Sequence, residues 1–489
     1  MDIARSDAMQ GQVTLAVAAT GLLFTVMLLG ANFGPEGLPI ELVVAAVPLT
    51  IAVAWLFPAE IALAFVAVTM FRIHEAYPIL LPLRVPLATA GLAVVACAMH
   101  LAARTVSLPN KPELKLAFLF FAHVTLGVFL GADWVQAIVP WVDNFAKLIV
   151  AMVFLSIILR LPRDAIKVAY VLMLGGTLIS FVAIYNQLNG LELVEGTRVT
   201  IGRSIKSQLG DPNDLCFVLM FPIAFVLGGL ATRGIGTITR MACVVSLIFM
   251  MWAIIATKSR GGLLSTVVVF GCVYSLLWKA RVMPLLLMGA AGALLYVVAG
   301  IGARDYVSTG TEGIDAASLG RLEAWKAAFR MAMNYPIFGV GMGNFFYMFF
   351  YYTELWDGKP YVTHSIWFQA LSETGFVGLG IFIAMFYKAT MSAFRSQKRL
   401  ERSSAPPAVR VLGIALFASW IGILVAGSFL SQVFSWQVFT LVALTAVMAK
   451  HVDETYPEAH PEPSTANAAV ARGGFGPGEM AVPIPLRAP

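Results

Sequence analysis

Apolar stretches about as long as a membrane is thick recur along this chain, and that repetition constrains its fold more than any short motif does. A bilayer's hydrocarbon is about 30 Å thick, and a helix needs about 20 mainly apolar residues to cross it. Such stretches fall at roughly 12–31, 39–57, 59–71, 83–103, 114–131, 141–160, 164–187, 212–231, 237–257, 261–279, 283–301, 364–389, 408–427 and 431–450. The third is short, and with the second it makes a candidate broken or re-entrant pair around Pro58. Hydrophobic residues are 59% of the 489 and charged residues 12%, against roughly 45–50% and about 25% in soluble domains. The stretches are too long and too free of alternation for barrel strands, so the backbone must satisfy itself within helices. The expected fold class is an all-α integral membrane protein, a polytopic bundle of about 12–14 transmembrane helices.

The net charge of +6 does not point to nucleic acid, because Lys and Arg fall largely in short loops, where they orient the chain. One alternate set of loops carries Arg104 and Lys111, then Arg160, Arg163 and Lys167, Arg233 and Arg240, Lys279 and Arg281, and Arg395, Lys398, Arg399 and Arg402. This face is expected in the cytoplasm, together with both termini. The opposite set comprises the segment around Asp133, the stretch Asn189 to Asp211, a long segment from Ala303 to Thr363, and the turn Ser428 to Ser431. Against the orientation rule, this outward face also holds Arg198, Arg203, Lys206, Lys258, Arg260, Arg304, Arg321, Lys326 and Arg330. Positive charge kept there implies a use for it.

The first apolar run, Val13 to Ala31, lacks a convincing basic flank and reads as a span rather than a cleaved signal. Cys97, Cys216, Cys243 and Cys272 all lie in apolar segments without a C-x-x-C pair and read as packing residues. Three regions follow: N-terminal membrane helices over 1–200, a second membrane region over 201–450 that includes the outward loop 302–363, and a tail over 451–489. The tail's run of Pro and Gly cannot build a core, so disorder is expected.

The outward loop is much longer than an ordinary connection, and loops of that length tend to be functional or disordered. From about Ser318, Leu322, Trp325, Phe329 and Met333 recur at helical spacing with Glu323, Lys326 and Arg330 between them, and Asn334-Tyr335-Pro336 supplies a stop. This predicts an amphipathic helix lying on the bundle or membrane surface. Gly339, Gly341 and Gly343 then make a close-packing turn. They are not a dinucleotide fingerprint, because no strand precedes them. Next come Phe345, Phe346, Tyr347, Phe349, Phe350, Tyr351, Tyr352, Trp356 and Tyr361. Such rings fit either headgroup anchoring or stacking on sugar faces. His364 closes the segment at the start of the next span. His100 and His123 lie within apolar spans, where a hydrogen-bonded structural role is the simpler reading.

Gly320-Arg321, Trp325, Pro336, Gly339-Val340-Gly341, Gly343, His364-Ser365 and Glu373-Thr374-Gly375-Phe376-Val377-Gly378 occur here in order, preceded by Gly210-Asp211-Pro212-Asn213-Asp214 and Ser259-Arg260-Gly261-Gly262. In this the chain resembles the O-antigen ligase and polymerase superfamily of bacterial envelope glycosyltransferases, over about Gly202 to Ile383. The upstream half matches only as a run of hydrophobic helices.

The resemblance implies transfer of a glycan from a polyprenyl-diphosphate carrier to an acceptor hydroxyl, of lipid A-core or a similar glycolipid or other hydroxyl acceptor, at the periplasmic face of the inner membrane. His364 would be the general base, since a neutral imidazole has a reference pKa near 6.5. Arg260 and Arg321 would bind the diphosphate and stabilise its departure, guanidinium being permanently charged and bidentate toward phosphate. Arg198, Arg203, Lys206 and Trp325 are further candidates for holding the donor. No carboxylate cluster stands beside His364, so neither metal nor other cofactor is expected. Expected partners are the lipid-linked glycan, the acceptor, the bilayer and other envelope polysaccharide assembly proteins, with no nucleic acid. A polymerase, a protein O-oligosaccharyltransferase and, in another class, a flippase or transporter for a lipid-linked glycan remain open, although transporters usually show internal repeats and broken helices at mid-membrane.

Overall fold

The computed structural model describes residues 40–277, 289 and 316–457, except 355, 357 and 359. The spans expected at 12–31 and 283–301, Arg304 and the rest of 302–315, and the tail beyond 457 lie outside the described residues. The described chain is helical almost throughout. It begins with α1 (Ile40–Leu56), α2 (Pro58–Phe71), α3 (Val85–Ala102), α4 (Pro112–Leu130) and α5 (Trp134–Ile158). It continues with α6 (Ala165–Leu188), a two-stranded hairpin of β1 (Leu193–Val194) and β2 (Arg198–Val199), α7 (Pro212–Ala231), α8 (Thr237–Thr257) and α9 (Arg260–Leu277). After the undescribed stretch come α10 (Ala316–Asn334), α11 (Asn344–Tyr352), α12 (Ile366–Glu401), α13 (Pro407–Gly427) and α14 (Trp436–Thr455).

Among the described residues, eight helices are long and apolar enough to cross a membrane, which establishes an all-α polytopic membrane fold. The expected break at Pro58 is present: Pro48–Leu56 and Pro58–Phe71 meet at 93°. Proline has no N–H to continue the helix and clashes with the preceding turn.

The core centres on α7, where every residue from Leu215 to Gly229 is buried. A helix apolar on all sides is stable only when surrounded, and α6, α8, α9 and α13 surround it. Small residues permit the close approach, as membrane helices require. A Cβ at Gly262 would fall 2.0 Å from the Cys216 sulfur. Cys216 and Cys243 are buried in this packing, and none of the four cysteines is in a disulfide.

The helices alternate so that the basic loops gather at one end of the bundle. There Arg160 donates to the Thr105 carbonyl at 2.9 Å, Lys167 pairs with Glu60 at 2.6 Å, and Lys111 and Arg399 both pair with Asp453. Asp453 lies in α14, which stays helical to Thr455, so the first residues of the tail expected to be disordered from 451 are instead packed helix. The opposite end collects residues 131–133, the 189–211 loop, the 257–260 turn, the segment from Gly320 to Ser365 and the 428–435 loop.

The surface helix expected from Ser318 is α10, but its packed face is not the one its bulky residues mark. Ala324, Ala327, Ala328 and Met331 are fully buried, whereas Leu322, Phe329 and Met333 are 48–59% exposed. Alanines let α10 lie close against α11 and α12, and the large side chains then face outward, as an interfacial helix requires.

Candidate active site

The Pro336–Gly343 turn and the Glu373–Gly378 run fit one another. Gly375 interrupts the helical backbone of α12 with φ 71°, and the turn docks into that break. Phe376 N donates to Pro336 O at 2.8 Å and Val340 N to Ser372 O at 2.8 Å. A Cβ on Gly339 would lie 2.4 Å from Thr374 N, and one on Gly375 2.6 Å from Pro336 O, so both positions need glycine for space as well as for positive φ. Glu373 accepts backbone hydrogen bonds from Gly343 and Phe345 at the start of α11, a carboxylate at a helix N-terminus. His123 bonds to Thr374 O at 2.9 Å and stacks on Phe338, and His100 stacks on Trp55. Both histidines are thus engaged in packing contacts, and Glu373 in capping α11.

This docking holds the residues around His364. Trp325 of α10 donates its indole N–H to Thr363 O at 2.8 Å and lies parallel to Phe368, centroids 5.0 Å apart. Gly320 abuts the Tyr361 ring, where a Cβ would be only 2.9 Å away. Thr363 Oγ1 shares a 2.7 Å hydrogen bond with Ser431 Oγ, and Trp367 donates to Ser428 Oγ at 3.1 Å. The 428–433 loop thereby ties the start of α12 to the start of α7, because Gln432 donates to Asp214 at 2.7 Å while Val433 N donates to Gln369 at 3.1 Å. Phe429 packs on Gly261, which brings the start of α9, and with it the exposed Arg260, to the same loop.

His364 is half-buried, with φ 44°. Burial holds its imidazole below the usual range, and the positive charge of Arg321 pushes the same way, while Asp211 partly opposes them. Three separate segments therefore meet electrostatically at one ring: α10, the start of α12 and the N-cap of α7. Desolvation and a cation both disfavour imidazolium, so at neutral pH the ring is a neutral proton acceptor.

Asp211 was not among the residues singled out for chemistry, although the sequence placed it in a recognisable turn. It caps α7 by accepting from Asn213 N at 2.7 Å. The next residues are held by Arg198, whose Nε donates to Thr257 O and whose Nη2 donates to Asn213 Oδ1, both at 3.1 Å. Ser259 Oγ donates to that same Asn213 oxygen at 2.7 Å. Arg198 is 7% exposed and joins β2, α7 and the α8–α9 turn. Arg203 donates to Gly210 O at 3.2 Å, and its backbone N–H is held by Glu192. With exposed Lys206 it rims a cavity of about 400 Å³ that Asp211 and Asp214 also line.

The residues expected at the site thus divide. Arg321 and His364 are together, Arg260 borders the loop bonded to Thr363, and Arg203 and Lys206 line the neighbouring cavity by Asp211. Arg198 and Trp325 hold backbone carbonyls. Among the described residues no group of three or more His, Cys, Asp and Glu side chains has metal-ligand character. Asn213 and Ser259 stood in the two upstream motifs without an assigned contact, and Ser431 and Gln432 carried no sequence signal beyond polar residues at the end of an apolar span.

Residues 245–383 match the family model described as O-antigen ligase. The matched stretch runs from α8 into α12 and contains Arg260, Arg321, Trp325, His364 and Gly375, while Arg198, Arg203, Lys206 and Asp211 lie upstream of it. No curated protein matches the chain.

Proposed function

We propose that this chain, a multi-pass membrane protein whose residues 245–383 place it in the O-antigen ligase and polymerase superfamily, is a glycosyltransferase that moves a glycan from a polyprenyl-diphosphate carrier to an acceptor hydroxyl. The acceptor is lipid A-core or a similar glycolipid, and the reaction takes place at the periplasmic face of the inner membrane. The observation that carries this reading is His364, whose imidazole burial and the charge of Arg321 hold below its usual range, with Asp211 partly opposing them. A neutral imidazole takes the acceptor's proton as its oxygen attacks the anomeric carbon. The bond from that carbon to the phosphate oxygen breaks, the diphosphate departs on its carrier, and the configuration inverts.

The leaving diphosphate needs positive charge more than it needs a proton. Arg321 and Arg260 supply bidentate donors for it, and Arg203 and Lys206 extend the positive field toward the neighbouring cavity. The reaction then needs no metal. Arg198 and Trp325 act as positioning residues, the first holding the α7 N-terminus and the second the Thr363 carbonyl. The cations stand at one end of the bundle, whereas a transporter would place its site near the bilayer midplane.

The test is transfer by the purified protein, with a defined lipid-diphosphate glycan and acceptor, in the presence of chelator and without ATP. Turnover that His364→Ala abolishes supports the assignment, and unchanged turnover in that variant removes the base. A polymerase is the second reading within the same superfamily. A deletion strain separates the two: loss of a ligase leaves polymer on its lipid carrier, and loss of a polymerase leaves single repeats on the core.

A further inference from the structure

His364 carries its ring on left-handed backbone, with φ 44°, a conformation that costs a residue with a Cβ. It persists only where the neighbours over-determine it, and here they do. Thr363, Ser365 and Ile366 are 0–2% exposed. The Thr363 carbonyl accepts from Trp325, and the Thr363 hydroxyl reaches across His364 to donate to the Ser365 carbonyl at 3.2 Å. That carbonyl also takes the Gln369 N–H, at 2.9 Å, which opens α12. One threonine thus brackets the strained residue on both sides.

Because the Thr363 hydrogen goes to Ser365, Ser431 is the donor in the 2.7 Å bond between the two hydroxyls. The loop that carries Ser431 is firmly anchored. Val433 and Phe434 are buried, the Phe434 ring meets Phe145 with centroids 5.0 Å apart, and the Phe434 carbonyl accepts from Asn144 Nδ2 at 2.8 Å. At the end of α13, Gly427 abuts Ile366, where a Cβ would lie 3.1 Å from the isoleucine side chain. The same loop bonds Asp214 through Gln432 and packs Phe429 on Gly261. Residues 428–433 thus touch the segments that bear His364, Asp211 and Arg260, and they lie outside the matched stretch 245–383.

We infer that Thr363 and Ser431 are positioning residues for the proposed base: through their two hydroxyls the 428–433 loop fixes the backbone of His364, and with it the place of the ring. The inference rests on the glycosyltransferase reading for the role of His364. A general base must stand within hydrogen-bond reach of the proton it takes, and a misplacement of about 1 Å can cost about 10²-fold in rate. Without the hydroxyl pair, the segment is free to leave the left-handed region and carries the imidazole with it. A base on a loop needs such support from its neighbours.

The test measures transfer by the full chain in lipid nanodiscs across pH. Thr363→Val keeps the shape and removes the hydroxyl. It is expected to lower kcat about tenfold with donor and acceptor KM within about twofold, and Thr363→Ser, which keeps the hydroxyl, should hold most of the rate. Ser431→Ala, at a half-buried residue where the fold is spared, should lower kcat in the same way. The charges that act on the ring are Arg321 of α10 and Asp211 at the α7 N-cap, beside the larger effect of burial. A ring freed from its place is better hydrated, its pKa rises toward the usual range, and the acidic limb of activity moves to higher pH in both variants. In a His364→Ala background neither should reduce the residual turnover further, because the effect passes through the ring. Unchanged kcat and acidic limb in Thr363→Val and Ser431→Ala, with His364→Ala showing its expected loss, overturns the inference and keeps the base. So does a loss that Thr363→Ser shares or that adds in full to that of His364→Ala, either of which marks a merely structural contact. Turnover indifferent to His364→Ala rejects the base itself, and its positioning with it.

Discussion

Two sets of loops at opposite ends of the bundle use their cations differently. At the end with the short basic loops, cations meet carboxylates: Lys111 and Arg399 converge on Asp453, and Lys167 on Glu60 and Asp164. At the other end the arginine side chains of the 189–211 loop meet neutral oxygens, Arg198 those of Thr257 and Asn213, and Arg203 that of Gly210. A carbonyl satisfies a guanidinium's hydrogen bonds without cancelling its charge as a carboxylate does.

Substitutions at the two ends should therefore differ steeply in effect. His364→Ala is expected to lower kcat by about 10²–10⁴, the usual worth of a general base, with the protein still folded and inserted. Turnover by the purified variant checks this. Arg321→Lys keeps the charge but loses the bidentate fork, and kcat/KM should fall at least about tenfold. If Lys serves as well as Arg, charge alone suffices there. Arg198→Gln should act through stability, leaving the Thr257 and Asn213 oxygens short of donors at about 1–3 kcal/mol, and thermal unfolding would register it before any change in donor KM.

The pH profile provides a finer test. Asp211 raises and Arg321 lowers the His364 pKa, and activity in this scheme is lost as pH falls through that pKa. Asp211→Asn, which still caps a helix, should move the acidic limb to lower pH, and Arg321→Gln should move it to higher pH. Shifts in the opposite sense would contradict the arrangement around the ring. The smallest effect is expected at the other end. Asp453→Asn removes partners of Lys111 and Arg399 on a half-exposed surface, where such pairs contribute about 0–1 kcal/mol, so transfer should stay within about twofold. A large loss of transfer there would mean that the paired end also shapes the site.

Most of the architecture could be read from the sequence because its cause is local. A run of apolar residues must be a helix in a bilayer, and α7 and α8 fall at the very boundaries that hydropathy assigns, Pro212–Ala231 and Thr237–Thr257. The sharp break before Pro58 was equally local. The packed face of α10 was not: Leu322, Phe329 and Met333 have the larger apolar surface, yet Ala324, Ala327 and Ala328 are the residues inside. Which face of such a helix is buried depends on how near its neighbours can come, and periodicity carries no information about distance.

The same division holds for the candidate site. The type and order of residues determined that a histidine and several arginines lie along the chain in the pattern of the O-antigen ligase and polymerase superfamily, and that the framework around them spans a membrane. Only the tertiary structure decided that the charge of Asp211 acts on His364, that Arg198 holds the residues after Asp211, and that Gly339 and Gly375 let one turn enter another helix. The physical reason is range. Hydropathy, capping and turn chemistry act over a few residues and are written in the sequence, whereas a pKa and a close packing contact are set by groups tens of residues apart or more, which meet only when the bundle closes.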